Sequence, residues 1–174
     1  MKEKQYSTQE LETRDDNGQP ALAENNEAEP SSDDQKSTTT RSTLQNVLEA
    51  HRGERHVIVL HDYPDPDAIA SAFAHSLLSA QFEIETTIIY KGKISHQQNI
   101  AMVRILGIDL TRYDQPIDLK RFDGAVFVDN QGTSAEKIVQ ALEEAGVPPL
   151  IVIDHHEPQE RLKAEFSDIR RIGS

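Results

Sequence analysis

Two short stretches of this chain combine the residue types that hold hard divalent cations. The first is His61-Asp62-Tyr63-Pro64-Asp65-Pro66-Asp67 and the second is Asp154-His155-His156. The chain has no cysteine, which excludes disulfides and thiolate-bound zinc and leaves imidazole and carboxylate as ligands. A mixed set of this kind suits Mn²⁺, with Mg²⁺ or Co²⁺ as substitutes. Pro66 forces extended backbone on Asp65, which aims Asp65 and Asp67 in different directions, so that two ions could each take one. The alternative for Asp67 is a plain helix cap. Asp129 ends another apolar stretch and has its own alternative, a turn former with Asn130 and Gly132. The adjacent histidines 155 and 156, arriving after four apolar residues, are harder to explain without a ligand or catalytic role.

The elements that must position these groups alternate along the chain. A short helix after Ser42 or Thr43 carries Leu44, Val47 and Leu48 and stops at Gly53. His56 to His61 reads as a buried β-branched strand, followed by a proline-rich loop and a helix over 68–80 with Phe73, Leu77 and Leu78 inward. A strand over 85–90 precedes a helix over 95–106, with Ile100, Val103, Ile105 and Leu106 inward and Gly107 closing it. A third strand covers 125–129. The helix over 133–145 is capped by Thr133 or Ser134 and turns Ile138, Val139 and Leu142 inward. Pro149 to Asp154 is a fourth strand. This order predicts an α/β domain, a parallel sheet with helices on both faces. Ligands in such sheets gather outside the carboxyl ends of the strands, where His61, Asp129 and Asp154-His155-His156 would all lie.

From about residue 44 to 174 the chain resembles the N-terminal catalytic domain of the DHH phosphoesterase superfamily. The residues that carry this are His61 to Ala68, Val128-Asp129 and Asp154-His155-His156, while Gly92-Lys93-Ile94-Ser95-His96-Gln97-Gln98-Asn99 resembles the nanoRNase and related bacterial branches. The resemblance implies that His61 and Asp65 hold one metal, Asp67 and His155 the other, and Asp129 bridges. It implies that His156 contacts the scissile phosphate and that Asp154 stands behind a histidine and orients it. Two Mn²⁺ ions per complete site would then activate a water for in-line attack on a phosphodiester or phosphomonoester. The substrates expected are short oligonucleotides or small nucleotides, with pyrophosphate or polyphosphate, or a non-catalytic nucleotide- or partner-binding module, as alternatives.

Family members continue into a fourth motif with a further Asp ligand and a C-terminal substrate domain. The run Glu165 to Ile172 resembles only the approach to that motif, so weak turnover is expected of residues 1–174 by themselves. Asp168 comes too early to be the missing ligand and is left out of the metal site. The basic residues available to meet substrate are Lys91, Lys93, Arg170 and Arg171.

Composition bounds the rest. Residues 1–40 hold ten acids against four bases, half of the formal net charge of −12. With so few large apolar residues, the segment 1–41 is expected to be a disordered acidic tail, with residues 42–174 as the domain. An acidic chain is poorly suited to tight, sequence-independent nucleic-acid binding, which needs Lys and Arg. No apolar run approaches a membrane span, and Met1-Lys2-Glu3-Lys4 is no signal peptide, so the expected location is cytoplasmic. Oligomeric state stays open, with a homodimer among the options.

Overall fold

Apolar runs buried on both sides build the frame of this molecule. The computed structural model describes residues 44–114, 117–159 and 161–171, so the acidic tail and the Ser42/Thr43 cap lie outside the described residues. Six strands form one sheet: β1 (Arg55–Val59), β2 (Glu85–Tyr90), β3 (Leu110–Arg112), β4 (Gly124–Val128), β5 (Pro149–Asp154) and β6 (Phe166–Ile169). Their order in space is β3-β2-β1-β4-β5-β6. Every neighbouring pair is parallel. The described residues also form helices α1 (44–50), α2 (Pro66–Ala80), α3 (Gln97–Leu106) and α4 (Glu136–Ala145).

Strand β1 shows why the sheet is covered on both faces. Ile58 and Leu60 pack with Ala68, Ile69 and Ala72 of α2 and Leu48 of α1. The alternate residues Val57 and Val59 pack with Ile138, Val139 and Leu142 of α4. A strand buried on both sides must be continuously apolar, which is how it reads. The expected α/β architecture is therefore the one observed.

Several local expectations are corrected. Strands β3 and β6 were not anticipated: at three and four residues they lie at the sheet's edges and carry no long apolar run. On α2 the buried stripe is Ala68, Ile69, Ala72, His75 and Ser79, while Leu77 and Leu78 are 55% and 39% exposed. Small residues at helical spacing let α2 lie close to the sheet, and the leucines fall off that stripe. On α3, Val103 packs against the core with Met102 as expected, but Ile100, Ile105 and Leu106 are exposed, Ile105 at 82%, and the buried residue is Asn99. Helix α4 starts behind a 3₁₀ turn over Thr133–Ala135 with no side-chain cap from Thr133 or Ser134. Gly107 does close α3, in the left-handed conformation. No described helix is long and apolar enough to cross a membrane.

From β1 the chain winds outward through β2 and β3, and from β4 through β5 and β6 in the other direction. The β1/β4 boundary is thus the switch point of the sheet, where loops diverge to opposite faces and leave a crevice at the carboxyl ends.

Candidate metal centre

All seven residues singled out in the sequence lie at that crevice. His61 lies two residues beyond β1, Asp129 directly follows β4, and Asp154 ends β5 with His155 and His156 after it. Asp65 and Asp67 open α2. Asp65 is extended, with ψ of 179°, as its proline neighbour requires. The capping role considered for Asp67 belongs instead to Asp65, whose side chain accepts from the Ala68 N–H at 2.9 Å. Asp67, the second residue of α2, does not cap it, and its Oδ2 lies 3.8 Å from His155 Nε2.

Asp129 is the centre of the cluster. Its Oδ1 lies 3.0 Å from His155 Nε2 and 3.7 Å from His156 Nδ1. Its Oδ2 lies 3.8 Å from His61 Nε2. Candidate ligand atoms group as His61/Asp65/Asp129 and as Asp129/His155/His156, so Asp129 belongs to both groups. Two clefts, of about 320 and 260 Å³, meet at Asp129 and Asp154. His61, Asp65 and His156 line the larger; Asp67 and His155 line the smaller.

The chain holds Asp129 at a cost. Its φ is 56°, the left-handed region that Asp tolerates better than most side chains. The Asp129 N–H donates to Ile153 O at 2.9 Å. Next to it, the buried Asn130 side chain donates to Val59 O and Val128 O, tying the ends of β1 and β4 together at the switch point. Its Oδ1 accepts from the Gly132 N–H at 3.0 Å, which closes the turn. Gly132 has φ of 92°, and a side chain there would press on Leu162 and Val139 at 3.1 to 3.3 Å. The turn former reading of this segment is correct as far as it goes; the buried amide cross-link is what sequence reasoning missed.

Asp154 lies behind the histidines. Its Oδ1 accepts from the His155 and His156 N–H groups and sits 2.8 Å from His156 Nδ1. Its Oδ2 accepts from Gln131 Nε2 at 2.6 Å. Gln131 also donates to Glu157 O and accepts from the Gln159 N–H, so one buried amide anchors the loop after β5. Assigning the His156 Nδ1 proton to Asp154 leaves Nε2 as the free nitrogen. Gln131 was likewise missed. Its one sequence signal is a polar Asn-Gln pair just after Asp129 at the end of an apolar strand.

Electrostatics separates the two buried carboxylates. Burial, and after it the charge of Asp65, pushes the Asp129 carboxyl above the ordinary range. Burial acts the same way on Asp154, but its bonds from Gln131 and His156 outweigh it and hold that carboxyl below its usual value. The bond to Asp154 raises the His156 imidazole. Asp129 Oδ1 is buried and, despite His155 Nε2 at 3.0 Å, has no aligned hydrogen bond. Among the described residues, no Lys or Arg pairs with Asp65, Asp67 or Asp129, and the ion-pair partners of Asp67 and Asp129 are histidines. A buried, unpartnered carboxylate oxygen among imidazoles and further carboxylates is the donor set that a divalent cation fits.

Two comparisons with known proteins bear on this site. The family model described as DHH family, N-terminal domain, matches residues 55–171, which include all seven site residues. A Methanocaldococcus jannaschii protein described as uncharacterized is 36% identical over 115 residues, 66% of this chain. The match spans 22% of that longer protein.

Proposed function

The chain belongs to the DHH family, a phosphoesterase superfamily, and on that premise we propose that it hydrolyses phosphodiester or phosphomonoester bonds of short oligonucleotides or small nucleotides. The observation that carries this reading is the unpartnered Asp129 Oδ1 at the meeting point of two His/Asp groups. His61 and Asp65 would hold one divalent ion, Asp67 and His155 a second, and Asp129 would serve both. Mn²⁺ suits these ligands best. When bound, such a pair supplies an acidified water and neutralises phosphoryl and leaving oxygens.

The chain's own residues do the remaining work. Asp154 fixes the His156 ring and its tautomer, so that Nε2 faces outward to a phosphoryl oxygen as a hydrogen-bond donor when protonated. Asn130 and Gln131 keep the two strand-end loops in register, which holds the ligands from separate strands in one geometry. A phosphoanhydride substrate is less well supported, because among the described residues lining the two clefts Arg170 alone is a lysine or arginine.

The test is hydrolysis of bis-p-nitrophenyl phosphate and of a ribodinucleotide by residues 1–174, with Mn²⁺ and then with EDTA. Slow, Mn²⁺-dependent turnover that falls at least ~100-fold in Asp129→Ala is expected, beyond the loss typical of outer ligand partners. Turnover that survives EDTA, or that Asp129→Ala leaves intact, would contradict the reading.

A further inference from the structure

We propose that Arg170 grips the phosphoryl group of the substrate in the cleft beside Asp67 and His155, and that Asp168 is its positioning residue rather than a metal ligand. This rests on the phosphoesterase reading above. The smaller cleft is lined by Asp67, Ser71, Asp129, His155, Asp168 and Arg170, among others. Arg170 is the only Lys or Arg among the described residues that line either cleft. An anionic phosphoryl group entering between these carboxylates meets one permanent side-chain cation, and it is Arg170.

The guanidinium is held for that purpose. Strand β6 pairs with β5 in the register Asp154↔Ile169. The Arg170 N–H donates to Asp154 O at 3.0 Å, so its backbone is tied to the strand that ends in the paired histidines. Arg170 Nε donates to Asp168 Oδ1 at 2.6 Å and Nη2 to Asp168 Oδ2 at 2.8 Å. This fork uses two of the five guanidinium N–H bonds and leaves three for a phosphoryl oxygen. It also engages both oxygens of Asp168, so the carboxylate fixes the plane of the guanidinium. The neighbouring Arg171 is engaged elsewhere, 2.6 Å from Glu157. A lysine at 170 has neither the fork nor the planar face that fixes it.

The experiment compares wild type with Arg170→Ala, Arg170→Lys and Asp168→Asn, each loaded with Mn²⁺. Three quantities are read: Mn²⁺ stoichiometry, affinity for inorganic phosphate, and kcat and KM on bis-p-nitrophenyl phosphate. Arg170→Ala is expected to keep the wild-type metal count and to bind phosphate roughly 10- to 100-fold more weakly. Its kcat/KM falls roughly 10²- to 10³-fold, as loss of one preorganised donor to transition-state charge does. Arg170→Lys recovers only part of this, and added guanidinium ion restores Arg170→Ala but not Asp168→Asn. Asp168→Asn keeps both metals and loses less than Arg170→Ala in phosphate affinity. Loss of a metal equivalent in Asp168→Asn would make Asp168 a ligand and overturn the proposal. Unchanged phosphate affinity in Arg170→Ala, or no phosphate binding by wild type, would overturn it as well. If wild type hydrolyses the ester and Arg170→Ala equals it, the clamp fails while the phosphoesterase reading stands. If wild type binds phosphate without hydrolysis, the enzyme reading fails and weaker binding by Arg170→Ala still supports the clamp.

Discussion

The two ends of strand β1 carry the same residue types in opposite conditions. At the amino edge of the sheet, His51, Glu54 and His56 cluster with Glu165 nearby. There the charges close on themselves: Glu54 Oε2 lies 2.8 Å from His51 Nδ1 and 3.1 Å from His56 Nε2, and Glu165 Oε2 lies 3.2 Å from His51 Nε2. At the carboxyl edge, Asp129 carries a buried oxygen that no aligned donor satisfies, on a left-handed backbone. His–carboxylate clusters are therefore not equivalent. The closed one satisfies its carboxylates with its own protons; the open one leaves a buried carboxylate in want of a cation.

The largest expected difference between the two ends is in metal affinity. His61→Ala should weaken Mn²⁺ binding by more than the roughly 10- to 100-fold that loss of an outer partner costs. His51→Ala, in a cluster whose carboxylates already have imidazole partners, should leave Mn²⁺ affinity at the carboxyl edge unchanged. Calorimetric titration of both variants reads the contrast, and an equal loss in the two would erase the distinction.

Acid should undo the amino end. His75 of α2 is buried, has no partner for Nε2, and burial lowers its pKa to about 4. The unfolded chain binds a proton near its ordinary 6.5 and the folded chain does not. Its contribution is thus fully present above pH 6.5 and is lost as pH falls toward 4. Between pH 7 and 5 this amounts to about 2 kcal/mol of stability. Urea unfolding at the two pH values should show that loss, and His75→Leu should flatten it. A slope unchanged in His75→Leu would remove His75 from the account.

The smallest effects have opposite signs at the two ends. Without metal, Asp129 is a buried, crowded carboxylate whose pKa is raised, so its ionised form weighs against folding at neutral pH. Asp129→Asn relieves that charge and keeps a side chain suited to positive φ, so it should raise stability in EDTA by about 1 kcal/mol. Glu54→Gln removes a partly exposed acceptor shared by two imidazoles and should lower stability by no more than about 1 kcal/mol. Urea midpoints in EDTA give both signs, and a destabilised Asp129→Asn would mean that this carboxylate is satisfied without a cation.

Much of the carboxyl edge was legible in the sequence because its residues close strands whose apolar runs are unmistakable. His61, Asp129 and Asp154 could be placed on one edge once β1, β4 and β5 were read as parallel. The cap, an alternative for Asp67, falls to Asp65 because two positions separate these carboxylates and only backbone position decides between them. Size suggests burial for Leu77 and Leu78, whereas the buried stripe of α2 is Ala68, Ile69, Ala72, His75 and Ser79, most of them smaller than leucine. Asn130 and Gln131 could not be recognised, since their partners Val59, Asp154 and Gln159 are 23 to 71 positions away. Asp168 and Arg170 reach the crevice through β6, whose four residues gave no strand signal.

The central claim is that the carboxyl edge is an open, two-ion site that turns on Asp129. It is tested most directly by titrating Mn²⁺ into metal-free residues 1–174 and into Asp129→Ala, with the bound metal counted. Two Mn²⁺ per wild-type chain and none in Asp129→Ala are predicted. No binding by wild type, or the same count in both proteins, would contradict it.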